Sequence, residues 1–344
     1  MVELQQPMSS HTRRIAFSTT LLIAVHLMSC KDDAAGPPPP IQWEQTSLDS
    51  KSVHSFAVVG TSIFAGGGAG VFRSTDNGAS WLQVSTGLTY FNNSTGQTVA
   101  AGVQSLAAQS DGIGGMNIIA GTWGGGIYRS TNNGTSWTQV NSGFTSASNL
   151  YDVRSLAVTG TNLLAGTIVD GVFLSTNNGT SWAPMNSGLT EKNVFSFAVN
   201  GVNIFAGTTA GVFLSSNNGT SWSKRGLDSI TISALIVSGS THYAGTFYGV
   251  FFSTNKGTSW TPANTGLKDI HVYDLAVNGT DLYAGTESGG VFLSTNGGLT
   301  WAQFSSGMEP LQTATGTTRV FSLTVSGDYL FAGTWGGGVW RRPL

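Results

Sequence analysis

Charged side chains make up only 9% of the 344 residues and leave a formal net charge of −2. That balance excludes the basic stripe of a nucleic-acid-binding protein and a polybasic membrane patch, so no nucleic-acid partner is expected. A single cysteine, Cys30, excludes an internal disulfide framework and a thiolate metal cluster. Past residue 40 there are three histidines, His54, His242 and His271, and they fall in different parts of the chain. No metal site and no cofactor is assigned on that basis. What is present is 47 glycines, ten tryptophans and a 40% hydrophobic content. This is enough apolar surface for a core, although a chain rich in Gly, Ser, Thr and Asn with so little charge otherwise reads as low-complexity.

The N-terminus carries its own signals. Arg13 and Arg14 precede a mostly apolar stretch, Ile15 to Met28, which has signal-peptide length and is short for a bilayer span. It ends in Leu27-Met28-Ser29-Cys30, which resembles the lipobox of bacterial lipoproteins. The resemblance implies cleavage before Cys30 and lipidation of its thiol; the alternative is an ordinary secretory signal with an incidental cysteine. Acyl chains at ~0.8 kcal/mol per buried CH₂ give stable anchoring when two or more are attached. Lys31-Asp32-Asp33 resembles an export signal that sends some bacterial lipoproteins to the cell surface. Ala34 to Pro40, with four consecutive prolines, reads as a stiff spacer. The expected organisation is a signal peptide at 1–29, a lipidated cysteine and linker at 30–40, and one domain at 41–344. The expected location is the outer membrane and the cell surface, with membrane contact through the lipid anchor only.

Internal repetition dominates the rest. The segment Ser175 to Trp182 recurs with small changes at 74–81, 130–137, 215–222, 253–260 and 294–301. Ahead of each lies a Gly-Val-Phe-like strand, then an Ala-Gly-Thr strand end, then a Val-x-Ser-Leu-Ala-Val strand. That larger unit occurs seven times, its first strand beginning at Val53, Val103, Val153, Val194, Ile232, Val272 and Val320. Unit two alone adds residues between its first two strands, around Gly112–Met116, so the insertion spares the strand cores. Four short strands per unit, separated by Gly/Asn/Ser turns, describe a propeller blade rather than a helical solenoid. Strands such as Val172-Phe173-Leu174 are apolar on both faces, as expected of a sheet sandwiched between neighbours.

The ends of the domain favour a ring over an open β-solenoid. The seventh unit stops at Trp340-Arg341-Arg342 without an outer strand, and Ile41 to Gln45 matches outer strands such as Ser136 to Gln139. The N-terminal segment is therefore expected to complete the last blade and leave no long unpaired edge. The predicted fold is all-β: a monomeric seven-bladed β-propeller of four-stranded blades.

The pattern Ser-x-Asp-x-Gly-x-Ser/Thr-Trp resembles the Asp-box, or BNR repeat, over essentially all of 41–344. That superfamily includes sialidases, sortilin-type receptors, xyloglucan-degrading enzymes and photosystem II assembly factors. The resemblance implies that each box is a turn between third and fourth strands, with its Trp (Trp81, Trp137, Trp182, Trp222, Trp260, Trp301) packed beneath. Only Asp76 keeps the acid; Asn132, Asn177, Asn217, Asn255 and Asn296 replace it. Asn still accepts from backbone N–H and tolerates turn geometry, so the boxes are read as scaffold.

Function does not follow from the scaffold. A sialidase-like site needs three arginines and a Tyr/Glu pair, and only Arg154 and Arg319 sit near starts of inner strands. A glycosidase needs two opposed carboxylates; Asp170 and Glu287, in turns of units three and six, are weak candidates. No catalytic residue is assigned.

A binding site is expected on the face opposite the boxes. There the intervals from box Trp to the next first strand vary, being longest at Trp81 to Val103 and Trp301 to Val320. Trp123 and Trp335 lie in turns of the same two blades, two and seven, which are adjacent to blade one in a closed ring. Exposed Trp suits sugar stacking or protein contact. The residue after the first-strand Val gives His54, Gln104, Arg154, Phe195, Ser233, Tyr273 and Phe321 around the channel mouth, with Tyr248 in the blade-five turn. The leading expectation is a non-enzymatic binding or assembly propeller that engages a protein or polysaccharide; the alternative is a glycoside hydrolase.

Overall fold

The computed structural model describes residues 41–92, 94–144, 152–308 and 319–344. The signal-peptide, Cys30 and linker expectations, and residues 309–318 of the long loop entering blade seven, lie outside the described residues. Residues 41–344 form one compact unit. It contains seven four-stranded antiparallel sheets, with no helix among the described residues.

Blade three is representative. Its strands, Val153–Thr159, Asn162–Thr167, Val172–Ser175 and Ala183–Pro184, pair in chain order from the channel outward. Blade seven is the exception that closes the ring. Glu44 pairs with Arg341 and Gln45 with Trp340, so the N-terminal strand supplies its outer edge. The Thr46 N–H donates to the Val339 carbonyl at 3.0 Å, and the Val339 N–H donates to Leu48 at 2.8 Å. Arg341 Nε meets Glu44 Oε1 at 2.6 Å.

The core lies between blades. Leu164 and Val172 of blade three pack with Val194, Ile204, Phe213 and Trp222 of blade four, and comparable clusters fill the other interfaces. Both faces of each sheet are covered, which explains the continuous apolar runs. The glycine of each Ala-Gly-Thr is required by this packing. A Cβ on Gly166 would lie 2.3 Å from Ser155 Oγ and 2.7 Å from Val194 Cγ1 of the next blade.

The boxes are turns whose hydrogen bonds survive loss of the acid. Around Asp76, Ser80 donates both its N–H, at 2.9 Å, and its hydroxyl, at 2.5 Å, to the carboxylate. Around Asn132, the Ser136 N–H still donates to Oδ1, while Nδ2 donates to the Ser136 hydroxyl at 2.9 Å. The hydroxyl reverses from donor to acceptor, so the turn stays satisfied. The residue after Asp or Asn takes positive φ, at Asn77, Asn133, Asn178, Asn218 and Lys256.

The box tryptophans reach beyond their own turns. Trp182 Nε1 donates to the Val140 carbonyl of the preceding blade at 3.0 Å, Trp222 to Met185 at 2.8 Å and Trp301 to Ala263 at 2.8 Å. Trp137 and Trp260 bond Val84 and Arg225 in the same way. Trp43 makes the equivalent bond to Phe304 at 2.5 Å, and Trp81 bonds Thr46 Oγ1 at 3.0 Å. Each blade is latched to the one before it, all the way around the ring.

Candidate functional site: the channel mouth

Every inner strand carries a β-bulge at the same place. The pairing register skips one residue between Val53 and Ser55, and likewise in the other six blades. The skipped residues are His54, Gln104, Arg154, Phe195, Ser233, Tyr273 and Phe321. A bulged residue leaves the ladder and is re-aimed. A sheet with both faces buried can therefore still present one side chain per blade to a central opening.

All seven bulge residues line one pocket of about 680 Å³, joined by Trp123, Thr209, Thr231, Phe247 and Trp335. Trp123 and Trp335 are 47% and 48% exposed. Both tryptophans do fall on this pocket, yet its wall draws on all seven blades rather than on a sector at blades seven, one and two. Between them the blade-one turn offers only small residues, Gly67 to Gly70. The long segment entering blade two folds into a hairpin, Thr89–Asn92 paired with Gln97–Ala100. The Tyr128 hydroxyl donates to the Thr89 carbonyl at 2.7 Å and pins the hairpin to its blade.

One side of the mouth is aromatic. Rings of Phe247 and Tyr273 lie 5.9 Å apart at 71°, Tyr273 and Phe321 4.9 Å at 86°, and Phe321 and Trp335 5.4 Å at 76°. His54 meets Phe321 edge-on at 5.3 Å and stacks near Trp335 at 6.5 Å. Tyr248 does not join this wall. It is 62% exposed and absent from the lining, and its neighbour Phe247 takes the inward position.

The other side is cationic. Arg154 sits beneath Trp123, its guanidinium carbon 5.2 Å from the ring centroid, and 5.8 Å from that of Phe195. Its Nη1 donates to Gln104 Oε1 at 3.1 Å, and its buried Nε has no partner. Burial lowers the Arg154 pKa, opposed by Asp152. The Asp152 carboxylate itself accepts the Gly124 N–H at 2.7 Å and so fixes the turn beside Trp123. Burial, and next the charge of Arg154, hold the His54 pKa below its ordinary value.

The two candidate carboxylates are not brought together in the pocket. Glu287 accepts from the Tyr273 hydroxyl and pairs with Arg319, and it stands behind Tyr273 rather than in the lining. Burial, then the hydrogen bond and charge of Glu287, push the Tyr273 hydroxyl up to about 12. Asp170 is also outside the lining; its carbonyl serves the adjacent Asn186 amide. His242 is buried against Phe205, with ring centroids 4.3 Å apart, and His271 stands near Phe247 at 5.7 Å.

No family model matches the chain, and no curated protein matches it in sequence. Solved structures share its architecture. YCF48 bound to D1 peptide aligns with a TM-score of 0.66 at 14% identity, covering 89% of this chain and 97% of that one. The extracellular domain of the putative one component system BT4673 from B. thetaiotaomicron aligns at 0.66 and 17% identity, over 87% of this chain and 39% of that one. The GH74 xyloglucanase from Xanthomonas campestris aligns at 0.62 and 15% identity, over 88% and 53%. This chain thus spans about half or less of the latter two. They share a fold. At such identities they carry no more than that.

Proposed function

We propose that the chain is an exported lipoprotein, processed before Cys30 and tethered through the 30–40 linker, whose 41–344 propeller is a non-enzymatic binding or assembly module. Its ligand is a protein or polysaccharide at the cell surface, taken up at the channel mouth. The observation that carries this reading is a pocket into which all seven bulges converge, with two half-exposed tryptophans at its rim. A concave, mostly aromatic pocket with a few convergent polar groups is the usual form of a binding site. The solved structure of YCF48 bound to D1 peptide, which shares this architecture, is in keeping with it.

The test is a pair of rim truncations. Trp123→Ala combined with Trp335→Ala should weaken capture of a partner from outer-membrane extracts by tenfold or more, with the thermal midpoint nearly unchanged. Undiminished capture by the double variant would remove the mouth from consideration.

A glycoside hydrolase is the second reading, favoured by the Tyr273–Glu287 contact at the pocket wall. Against it, Glu287 is neutralised by Arg319 and the Tyr273 hydroxyl resists ionisation. A polysaccharide hydrolysis screen with Glu287→Gln and Asp170→Asn controls separates the readings. Turnover that Glu287→Gln abolishes would replace the binding proposal.

A further inference from the structure

Arg154 is the one charged residue among the twelve that line the mouth. Among the described residues no carboxylate lies within ion-pairing distance of it, whereas Arg319 on the far side is already matched by Glu287. Its guanidinium is flanked by Trp123 and Phe195, its Nε is buried and unpartnered, and its one hydrogen bond among the described residues goes to a neutral amide, with Asp152 acting on it only from beyond ion-pairing distance. A desolvated cation left with unused donors is costly unless an anion arrives. The planar fork of arginine matches a carboxylate in two parallel hydrogen bonds.

The remaining wall narrows the body to which that carboxylate belongs. Phe247, Tyr273, Phe321 and Trp335 stand edge to face around an apolar cup. Three of the polar groups on the wall are already engaged, while His54 Nδ1 is buried with no partner among the described residues. Ser233 Oγ donates to the Val272 carbonyl at 2.6 Å, the Tyr273 hydroxyl is on Glu287, and Gln104 is on Arg154. The four rings themselves offer a matching surface to a bulky hydrocarbon side chain, and the Tyr273 hydroxyl, held by Glu287, is not open to a ligand.

Resting on the mouth as the binding site, we infer that Arg154 is a carboxylate receptor. The ligand is a peptide segment that presents a carboxylate to Arg154 and an adjacent large apolar side chain to the Phe247–Phe321–Trp335 cup. The carboxylate comes either from an acidic side chain or from a chain terminus, and the two sources share the chemistry.

The test uses the purified full chain and fluorescein-labelled hexapeptides read by polarisation. One series ends in Phe-Glu with an amidated terminus, a second in Gln-Phe with a free terminal carboxylate, and a neutral series in Phe-Gln with an amidated terminus. Trigalacturonate serves as a competing acidic sugar. At least one acidic series should bind tenfold or more tighter than the neutral one, and which one does so names the source. Arg154→Gln should erase that preference, Arg154→Lys should retain part of it, and Arg129→Gln, an equal charge loss beside the boxes, should leave it intact. Circular dichroism and thermal melting check that each variant is folded.

No preference for acidic peptides, a preference surviving Arg154→Gln, absence of binding by any peptide, or binding of trigalacturonate alone would each overturn the inference. The outcomes also separate it from the broader reading. Equal binding of acidic and neutral peptides that is lost in the double Trp variant keeps the mouth and removes the receptor. Binding that survives both the Arg154 and the double Trp changes removes the mouth as well.

Discussion

At the scale of single residues, the repeat is a record of steric necessity. The glycine of each Ala-Gly-Thr has ordinary backbone angles in blade three; what it lacks is room for a Cβ. Gly166→Ala should therefore destabilise the protein by about 1–3 kcal/mol, the usual cost of overpacking a tight core. Urea unfolding measures it, and a loss below about 0.5 kcal/mol would show that the two blades can part without penalty. The same reasoning separates the boxes from chemistry. Their Asp or Asn oxygens are consumed by the turn that holds them, and Asp76 is held down to about 2 chiefly by the side-chain and backbone hydrogen bonds from Ser80.

At the scale of the element, the inner strand divides its labour at the bulge. The residue after the bulge is Ser in five blades, Ala234 in blade five and Asp274 in blade six. Asp274 accepts from the Leu275 N–H at 2.9 Å and from the Leu323 N–H of blade seven at 2.7 Å. Burial nevertheless pushes its carboxyl up to about 7, the two donors only partly opposing it. A carboxyl with a raised folded-state pKa binds its proton more tightly when folded. The associated stability is complete below about pH 4 and is lost as pH rises through about 7. Asp274→Ser, which installs the residue of the other blades, should flatten that decline. Chemical denaturation at pH 4, 6 and 8 reads it; an unchanged slope would mean the carboxyl ionises freely in the channel.

At the scale of the whole molecule, closure is the decisive event, and it rests on a short strand. Trp43 is buried, donates through Nε1 to Phe304 and through its backbone to Ser306 at 2.9 Å, and joins a cluster with Met308 and Trp340. Trp43→Ala should cost about 3–5 kcal/mol, as for other buried aromatics. It should also broaden the unfolding transition as blade seven loses its outer edge, a result calorimetry would detect.

The ring itself was legible in the sequence because a period of about 40 residues leaves little freedom, and because Ile41 to Gln45 supplies the outer strand that the seventh unit lacks. The seven mouth residues were legible as the variable position after each inner-strand Val, although the bulge that aims them leaves no local signature. Phe247 was missed in favour of Tyr248, since sequence does not say which residue of a two-residue turn faces inward. The latch from each Trp to the preceding blade, and the pairing of Glu287 with Arg319, join residues that are 32 or more positions apart. No local pattern encodes them.

The bulge carries one further consequence. Because each bulged residue stands outside the ladder, exchanging it alters the wall of the pocket while leaving the register of its blade untouched. With the mouth as the proposed binding site, the string His-Gln-Arg-Phe-Ser-Tyr-Phe, read one residue past the first Val or Ile of each blade, would act as a seven-letter recognition code. Propellers built on this same frame with other letters would be expected to sort by ligand rather than by ancestry, and the letters can be read before any of their structures is known.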